Sequence, residues 1–451
     1  MRTGSARLML AMDQRIPAPG LWRFVDDDHP AQLTLIVKTP NGPYLRRISP
    51  ALPLPPGVVP GAGAELAIHQ AAATWGMPDF VFEPAYAVKG SGRREQGDGL
   101  LLSGGRGAVL QSKRRTVPPK DDASERSWLQ KNAAKALGQA RGTVRQLRMQ
   151  SANMANGRGR TLNIDGHAYE WIALIVLDHE RVPVNTVLEL DTPAGMPAIA
   201  VTRKDLDFLF HQLRSTTAVL DYLFRVAPLP GVALGEEPVR YYELAAADLA
   251  AEPEPMNPEL VGVGGRLQSA PLLPQAPAGG DGTPAHVMIR LVLEDLATSP
   301  LDGYLTEANR LQVLHDVDRL PVAMRTEWGR LLIGMLDDVR HIREGGCKWR
   351  FRRHLTHDGA RQLIFGAATR FGPDIQAAFS AYVQLRHHEV GTRSGLAEVS
   401  TTLGVLLTPR HDGYRAWDTT MVRTHGQSHR TEVELKTFAD LWNGVESQGE
   451  E

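Results

Sequence analysis

The chain has 451 residues, a formal net charge of −1 and a single cysteine. This length allows two or three domains, each with its own buried core. One cysteine excludes disulfides within the chain and zinc sites built from several cysteines, and it favours a reducing compartment. The N-terminal apolar stretch is far shorter than the roughly 18 residues that a membrane span needs. We therefore expect a cytoplasmic globular protein with no export signal and no membrane partner.

Charge is distributed unevenly along the chain. Residues 101–160 contain thirteen Lys and Arg but only three Asp and Glu. Such a basic segment is either the solvated face of a helix with its flanking loops, or a surface that binds a polyanion such as nucleic acid. Charge alone leaves both interpretations open.

The N-terminal half alternates strands and helices, which is typical of an α/β domain. In chain order, the patterns predict a β-hairpin at 20–48, a connector at 49–63, a helix at 64–75, three adjacent strands at 80–88, 100–103 and 108–113, a helix capped by Ser124 and ending near 149, buried strands at 171–179 and 198–202, and a helix at 204–226. We expect one domain over residues 1–226, with its core at 64–226.

The C-terminal half has a different pattern. Residues 227–285 are rich in Pro, Gly and Ala and predict a linker region. Residues 286–451 begin with helical spacing of apolar residues and continue with strand-like runs, which predicts a second, α+β domain. Its role is open.

Polar side chains bracket the apolar strands at 100–103 and 108–113. If these strands pair through the Gly104–Gly107 turn, Asp98 lies opposite Gln111 and Lys113, and the latter two project from one face. A carboxylate and an amide oxygen are suitable ligands for Mg²⁺ or Mn²⁺, and a lysine stabilises negative charge on a phosphate. This combination suits the hydrolysis of phosphodiester bonds.

The sequence GDG, an apolar strand, a glycine turn and VLQSK together resemble the PD-(D/E)xK nuclease superfamily, in the Mrr-like restriction endonuclease variant in which glutamine replaces the second acid. The resemblance covers residues 64–150 and extends towards 226. It implies a restriction-endonuclease-like domain with a mixed sheet flanked by helices. It also implies that Asp98, Gln111 and Glu65 hold the metal ion, and that Lys113 is the catalytic lysine.

The same resemblance implies Mg²⁺-dependent cleavage of DNA, in defence against foreign DNA. The basic segment would then supply the contacts to nucleic acid. The candidates are Arg114, Arg115, Lys131, Lys135, Gln139 and Arg141.

Gln111 is neutral, so the site has one charge fewer for a divalent ion unless Glu65 or Glu83 contributes. Two other functions therefore stay open. One is a catalytically inactive nuclease-fold subunit that binds DNA or acts as a scaffold in a larger defence complex or homo-oligomer. The other is a protein-interaction component that binds no nucleic acid. The structural alternative is that Lys113 and its basic neighbours protect an edge strand, with Asp98 in an ordinary turn.

Two other motifs have simpler interpretations. His387 and His388 lack the spacing of a zinc-binding helix and predict a polar helix end. The basic and aromatic residues at 348–353 predict a strand with aromatic side chains in a core below a basic face, or else a strand that contacts nucleic acid. No phosphate-binding loop motif is present, so no nucleotide cofactor is expected.

Overall fold

The computed structural model divides the chain into two compact units, Met1–Ala251 with Pro271–Pro277, and Glu252–Ala270 with Ala278–Glu451. Both contain helices and sheets, and the fold is mixed α/β. Apart from a few single positions, the residues that the structure describes are 21–25, 32–39, 42–51, 53–54, 57–83, 85–89, 92–96, 98–191, 196–250, 282–301, 305–340, 347–356, 359–395, 400–411, 415–428 and 430–446.

The first unit combines twelve described strands with α-helices. The strands are β1 (Leu21–Val25), β2 (Leu33–Thr39), β3 (Gly42–Ile48), β4 (Val81–Phe82), β5 (Ala85–Lys89), β6 (Gly92–Gln96), β7 (Gly99–Ser103), β8 (Arg106–Arg114), β9 (Ala152–Ala155), β10 (Thr161–Ile164), β11 (Glu170–Asp178) and β12 (Ala198–Thr202). The helices are α1 (Pro60–Trp75), α2 (Asp122–Met149), α3 (Arg203–Leu213), α4 (Thr216–Val226) and α5 (Glu237–Ala250).

A five-stranded mixed sheet forms the centre of this unit, in the order β12-β11-β8-β7-β4. β4, β7 and β8 are antiparallel neighbours, whereas β8, β11 and β12 run parallel. The predicted pairing of 100–103 with 108–113 is confirmed. Its turn is tighter than expected, because Gly104 and Gly105 alone make it, and both have the positive φ that a type I′ turn requires.

α1 and α2 pack on opposite faces of the central sheet. Leu110 of β8 shares a buried core with Ile68 and Ala72 of α1. Because side chains alternate between the two faces of a strand, Gln111 points to the other face. α2, which connects β8 to β11, packs against both strands with its buried apolar stripe.

Contacts near the start of β8 show which helix covers the other face of the sheet. A side chain at Gly107 would collide with the ring of Trp171, whose indole N–H donates to the carbonyl of Gly166 at 2.7 Å. The N–H of Gly166 in turn donates to Leu147, near the end of α2. This chain of contacts assigns the odd-numbered side chains of β8 to the face that α2 covers.

Several elements differ from the sequence-based expectation for local reasons. The predicted helix at 204–226 is two helices, because Arg214 adopts a left-handed conformation and Ser215 caps α4 by accepting from Ala218 N. The cap of α2 is Asp121 rather than Ser124, since its carboxylate accepts the N–H of Ser124.

The predicted strands at 80–88 and the predicted linker also need correction. Only β4 joins the central sheet, and β5 pairs with β6 in a separate hairpin that was not predicted; the β9–β10 hairpin was not predicted either. α5 lies inside the expected linker at 227–285. Its Tyr241 and Tyr242 are buried in the core of the first unit, which therefore continues beyond residue 226.

The second unit contains a four-stranded sheet and helices, as the α+β pattern predicts. Its helices are α6 (Thr283–Thr298), α7 (Glu307–Asp318), α8 (Val322–Arg340), α9 (Pro373–Ser394) and α10 (Glu432–Glu446). Its strands are β13 (Trp349–Leu355), β14 (Arg361–Ala368), β15 (Thr401–Pro409) and β16 (Trp417–His425), paired in that order. α9 connects the parallel pair β14 and β15.

Candidate functional site

Asp98 lies directly before β7 and opposite the end of β8. Its N–H donates to the carbonyl of Leu110, and its carboxylate accepts the N–H of Ser112 at 2.5 Å. Burial raises the pKa of Asp98 above its usual value, and the Ser112 N–H and the charge of Lys113 oppose this increase only in part. The fold thus holds a carboxylate in surroundings that do not favour its charge.

Lys113 lies beside this carboxylate. Its Nζ is 3.9 Å from Asp98 Oδ2 and donates to the carbonyl of Ser112 at 2.8 Å. The two side chains retain 18% and 17% of their exposure, so solvent and small ligands can reach the pair. The predicted meeting of these two residues is present in the structure.

Gln111 is the most deeply buried residue of the predicted set, at 1% exposure. Neither its Oε1 nor its Nε2 makes a hydrogen bond to any residue that the structure describes. Leaving buried polar groups without partners costs about 1–3 kcal/mol each. The packing of the fold therefore gives no reason for a carboxamide at this position.

α1 brings other candidate groups to the opposite face of the sheet. Glu65 is half-buried in the first half of α1, and His69 follows one turn later on the same side of the helix. A side chain at Gly99 would lie only 2.4 Å from His69 Nε2, so the imidazole touches the start of β7. α1, which carries Glu65, thus packs on the face of the sheet opposite to Gln111, and the predicted role of Glu65 as a ligand stays a prediction.

His69 is a candidate that the sequence analysis did not single out. Burial lowers its pKa, whereas the backbone of Asp98 and the charges of Glu83 and Asp98 act in the opposite direction. Glu83 is exposed and close enough to influence this ring. The spacing Glu65-x₃-His69 on one helix was the available signal. Among the described residues, no three His, Cys, Asp or Glu side chains form a group that could hold a metal ion.

A second polar cluster lies at the end of β8, where α2 begins. Glu125 is buried and accepts two hydrogen bonds from Arg115, both at 3.0 Å, one from the N–H of Lys120 and one from His179 at 2.7 Å. The hydrogen bonds from Arg115 are the main reason that the pKa of Glu125 falls to about 2. The guanidinium also stacks over Trp128, 5.5 Å from the ring centre.

Two of the predicted nucleic-acid contacts are held in internal ion pairs. Arg115 binds Glu125, and Arg114 donates to Asp178 at 2.9 Å. Other basic residues of the segment at 101–160 are paired in the same way, since Arg158 and Arg160 both bind Asp79. Much of the local positive charge is therefore balanced by acids elsewhere in the first unit.

Most of the positive charge of this segment that remains accessible lies on α2. From Arg126 to Met149 the helix has six Lys and Arg and no acid, and Lys131 and Lys135 are exposed. Arg141 is half-buried and donates to the carbonyl of Asp191. Gln139 is also half-buried, and its Oε1 has no hydrogen-bond partner in the described part of the chain.

The motifs of the second unit have structural roles. His387 is buried, with Nδ1 bonded to Thr402 at 3.0 Å and Nε2 to the carbonyl of Gly426 at 2.7 Å. The rings of Trp349 and Phe351 stack on each other and pack against the aromatic residues of α9 and α10. The histidine and the aromatic strand both belong to the core of this unit.

Comparisons with known proteins add no assignment. No protein-family model, curated protein or solved structure matches this chain. Among the described helices, none is long and apolar enough to span a bilayer.

Proposed function

We propose that the first unit is a metal-dependent nuclease that hydrolyses DNA phosphodiester bonds, with its site at Asp98, Gln111 and Lys113. The observation that carries the proposal is the buried carboxamide of Gln111, which has no hydrogen-bond partner among the described residues and lies next to the accessible Asp98–Lys113 pair. Buried polar groups without partners are rare in folded proteins, and they call for a further partner such as an ion or an ordered water molecule.

The donor atoms fit a hard divalent cation such as Mg²⁺ or Mn²⁺. Carboxylate and carboxamide oxygens are the ligands that these ions prefer, and Asp98 and Gln111 supply one of each. A bound cation would also favour the ionised form of Asp98, whose pKa burial raises. When bound, such an ion polarises a phosphate and lowers the pKa of a water molecule.

Lys113 would act on the phosphate through its charge. Its ammonium group lies 3.9 Å from the carboxylate of Asp98, at the accessible end of β8. A positive charge beside a phosphate held at Asp98 would stabilise the negative charge that develops during phosphoryl transfer. The backbone carbonyl of Ser112 orients the ammonium by accepting its hydrogen bond.

The acid-free surface of α2 supports nucleic acid as the substrate class. Lys131 and Lys135 recur four residues apart and are both exposed, so they project from one side of the helix. Such a row of charges suits a phosphate backbone, which it would bind without reading the base sequence. The mixed sheet with helices on both faces is the arrangement that the Mrr-like resemblance implies. A cytoplasmic role in defence against foreign DNA is part of the same proposal.

Plasmid DNA incubated with the purified protein and Mg²⁺ or Mn²⁺ tests this function. We expect cleavage that EDTA abolishes and that Lys113→Ala reduces by roughly a hundredfold or more. Lys120→Ala removes an exposed lysine just beyond β8 and should leave the rate unchanged. Cleavage that Lys113→Ala retains in full would contradict the assignment.

A second function is a catalytically inactive DNA-binding subunit. The observations that favour it are the neutral, buried Gln111 and the absence of a three-residue metal cluster among the described residues. It predicts no cleavage with any metal, together with salt-sensitive DNA binding. Lys131→Ala with Lys135→Ala should then lower the slope of log affinity against log salt by about two.

A further inference from the structure

A second group of basic side chains lies at the far end of α1. It comprises Arg46 on β3, Trp75 at the end of α1, and His211 and Arg214 at the end of α3, all of them half-buried. Arg46 donates to His211 Nδ1 at 2.9 Å. The guanidinium of Arg214 stacks 5.4 Å from the centre of the Trp75 ring, and that ring meets His211 edge to face at 4.7 Å.

The charges that lower the pKa values of His211 and Arg214 are those of arginines. Burial lowers the pKa of Arg214, and the charge of Arg46 lowers it further. Burial and both arginines lower the pKa of His211 to about 4. His211 is therefore neutral at pH 7. Because its Nδ1 accepts from Arg46, the ring proton resides on Nε2. The group thus combines N–H donors with two guanidinium charges that repel each other.

Arg46 also has a donor that the fold does not use. Its Nε is buried and makes no hydrogen bond within the residues that the structure describes. An oxyanion bound between the two guanidinium groups would accept hydrogen bonds from them and would remove their repulsion. Two positive charges match a phosphate monoester, with nearly two negative charges and several acceptor oxygens, better than a single carboxylate. The phosphodiester of a nucleic acid presents similar acceptor oxygens with one negative charge.

We propose that Arg46, His211 and Arg214 form a binding site for a phosphoryl group. Trp75 follows His69 by six residues, about 9 Å along α1, so this site is separate from the Asp98–Lys113 pair. The phosphoryl group belongs either to a small phosphorylated compound or to the backbone of a nucleic acid. The inference does not depend on cleavage at Asp98.

Binding experiments in EDTA test the site without interference from DNA cleavage. The parent protein in these experiments carries Asp98→Ala, and each further substitution is added to it. Inorganic phosphate at constant ionic strength should raise the Tm of the parent protein. Arg46→Gln and Arg214→Asn should each weaken phosphate binding roughly tenfold or more. Asparagine suits position 214 because Arg214 has a φ of 50°, a left-handed conformation that asparagine adopts more readily than most residues. Arg47→Gln makes the same charge change at the exposed neighbour and should leave phosphate binding unchanged.

A fluorescein-labelled 16-nucleotide DNA, single-stranded and duplex, distinguishes the two sources. Weaker DNA binding in Arg46→Gln and Arg214→Asn, but not in Arg47→Gln, would identify a nucleic-acid backbone. An effect on phosphate alone would identify a small phosphorylated compound. Without phosphate, thermal unfolding checks that both site variants are folded, since each loses a repulsion together with the His211 hydrogen bond or the Trp75 stacking contact. The proposal is overturned if all three variants bind DNA equally and phosphate either leaves the parent Tm unchanged or raises the Tm of Arg46→Gln and Arg214→Asn as much as that of the parent.

Discussion

Two polar clusters at the end of β8 differ in how many of their polar groups have hydrogen-bond partners. Glu125 accepts hydrogen bonds from Arg115 and His179, and its pKa falls to about 2. Four residues before Arg115, the carboxamide of Gln111 has no partner in the described structure, and burial raises the pKa of Asp98. The first cluster is explained by folding, because every group in it stabilises another. The second cluster is not explained by folding, as is expected of a site that binds a ligand.

Asp98→Asn separates the two clusters most sharply. It should reduce cleavage by roughly a thousandfold, because it removes the central carboxylate of the proposed metal site. The Tm should stay the same or rise, since the fold disfavours the charged form of Asp98. Cleavage rates and thermal unfolding of one preparation provide both values. Glu180→Gln, at an exposed position, should change neither.

Glu125→Gln should have the opposite effect. It leaves the half-buried guanidinium of Arg115 without its anion, which we expect to lower the Tm of the first unit by roughly 10 °C. The protein that remains folded at low temperature should still cleave DNA. Differential scanning calorimetry and cleavage assays measure these two properties. A small change in Tm together with complete loss of cleavage would assign Glu125 to the functional site instead.

Gln111→Leu tests the buried carboxamide. Leucine has a similar size and no polar atoms, so the substitution removes two unsatisfied groups and should raise the Tm by about 5 °C. The same variant should lose metal-dependent cleavage. Thermal unfolding without added metal provides the measurement. A fall in Tm would mean that the amide already has partners that stabilise the fold.

We expect a smaller effect of Glu125 on the way the Tm changes with pH. The pKa of Glu125 lies near 2 in the folded protein, below its usual 4.5, so its ionised form stabilises the fold. This contribution is fully present above about pH 4.5 and is lost as the pH falls towards 2. The Tm of the parent protein should therefore decrease across this range by more than that of Glu125→Gln. Parallel curves for the two proteins would contradict the role given to this carboxylate.

The hairpin that carries the candidate site could be predicted from sequence, because its signals are local. Two apolar runs joined by Gly104 and Gly105 specify the strands and the turn, and strand pairing then sets Asp98 opposite the end of β8. The breaks in other elements are also local but weak, such as the left-handed Arg214 that divides α3 from α4. They escape a pattern analysis that follows apolar spacing.

Non-local packing accounts for most of what the sequence did not predict. Which helix covers which face of the sheet depends on tertiary contacts, so the packing of α1 on the face opposite to Gln111 could not be read from the sequence. The same holds for His69, whose contact with Gly99 joins residues thirty positions apart. Tyr241 and Tyr242 were missed because the composition of their Pro- and Gly-rich neighbourhood concealed a short amphipathic helix.

Direct titration with Mn²⁺ in the absence of DNA tests the central claim, that Asp98 and Gln111 hold a divalent cation. Calorimetry should detect one Mn²⁺ per chain in the parent protein and in Glu180→Gln. Binding should be lost in Asp98→Asn and in Gln111→Leu, both of which we expect to be folded. Equal Mn²⁺ binding in all four proteins, or none in the parent, would contradict the account.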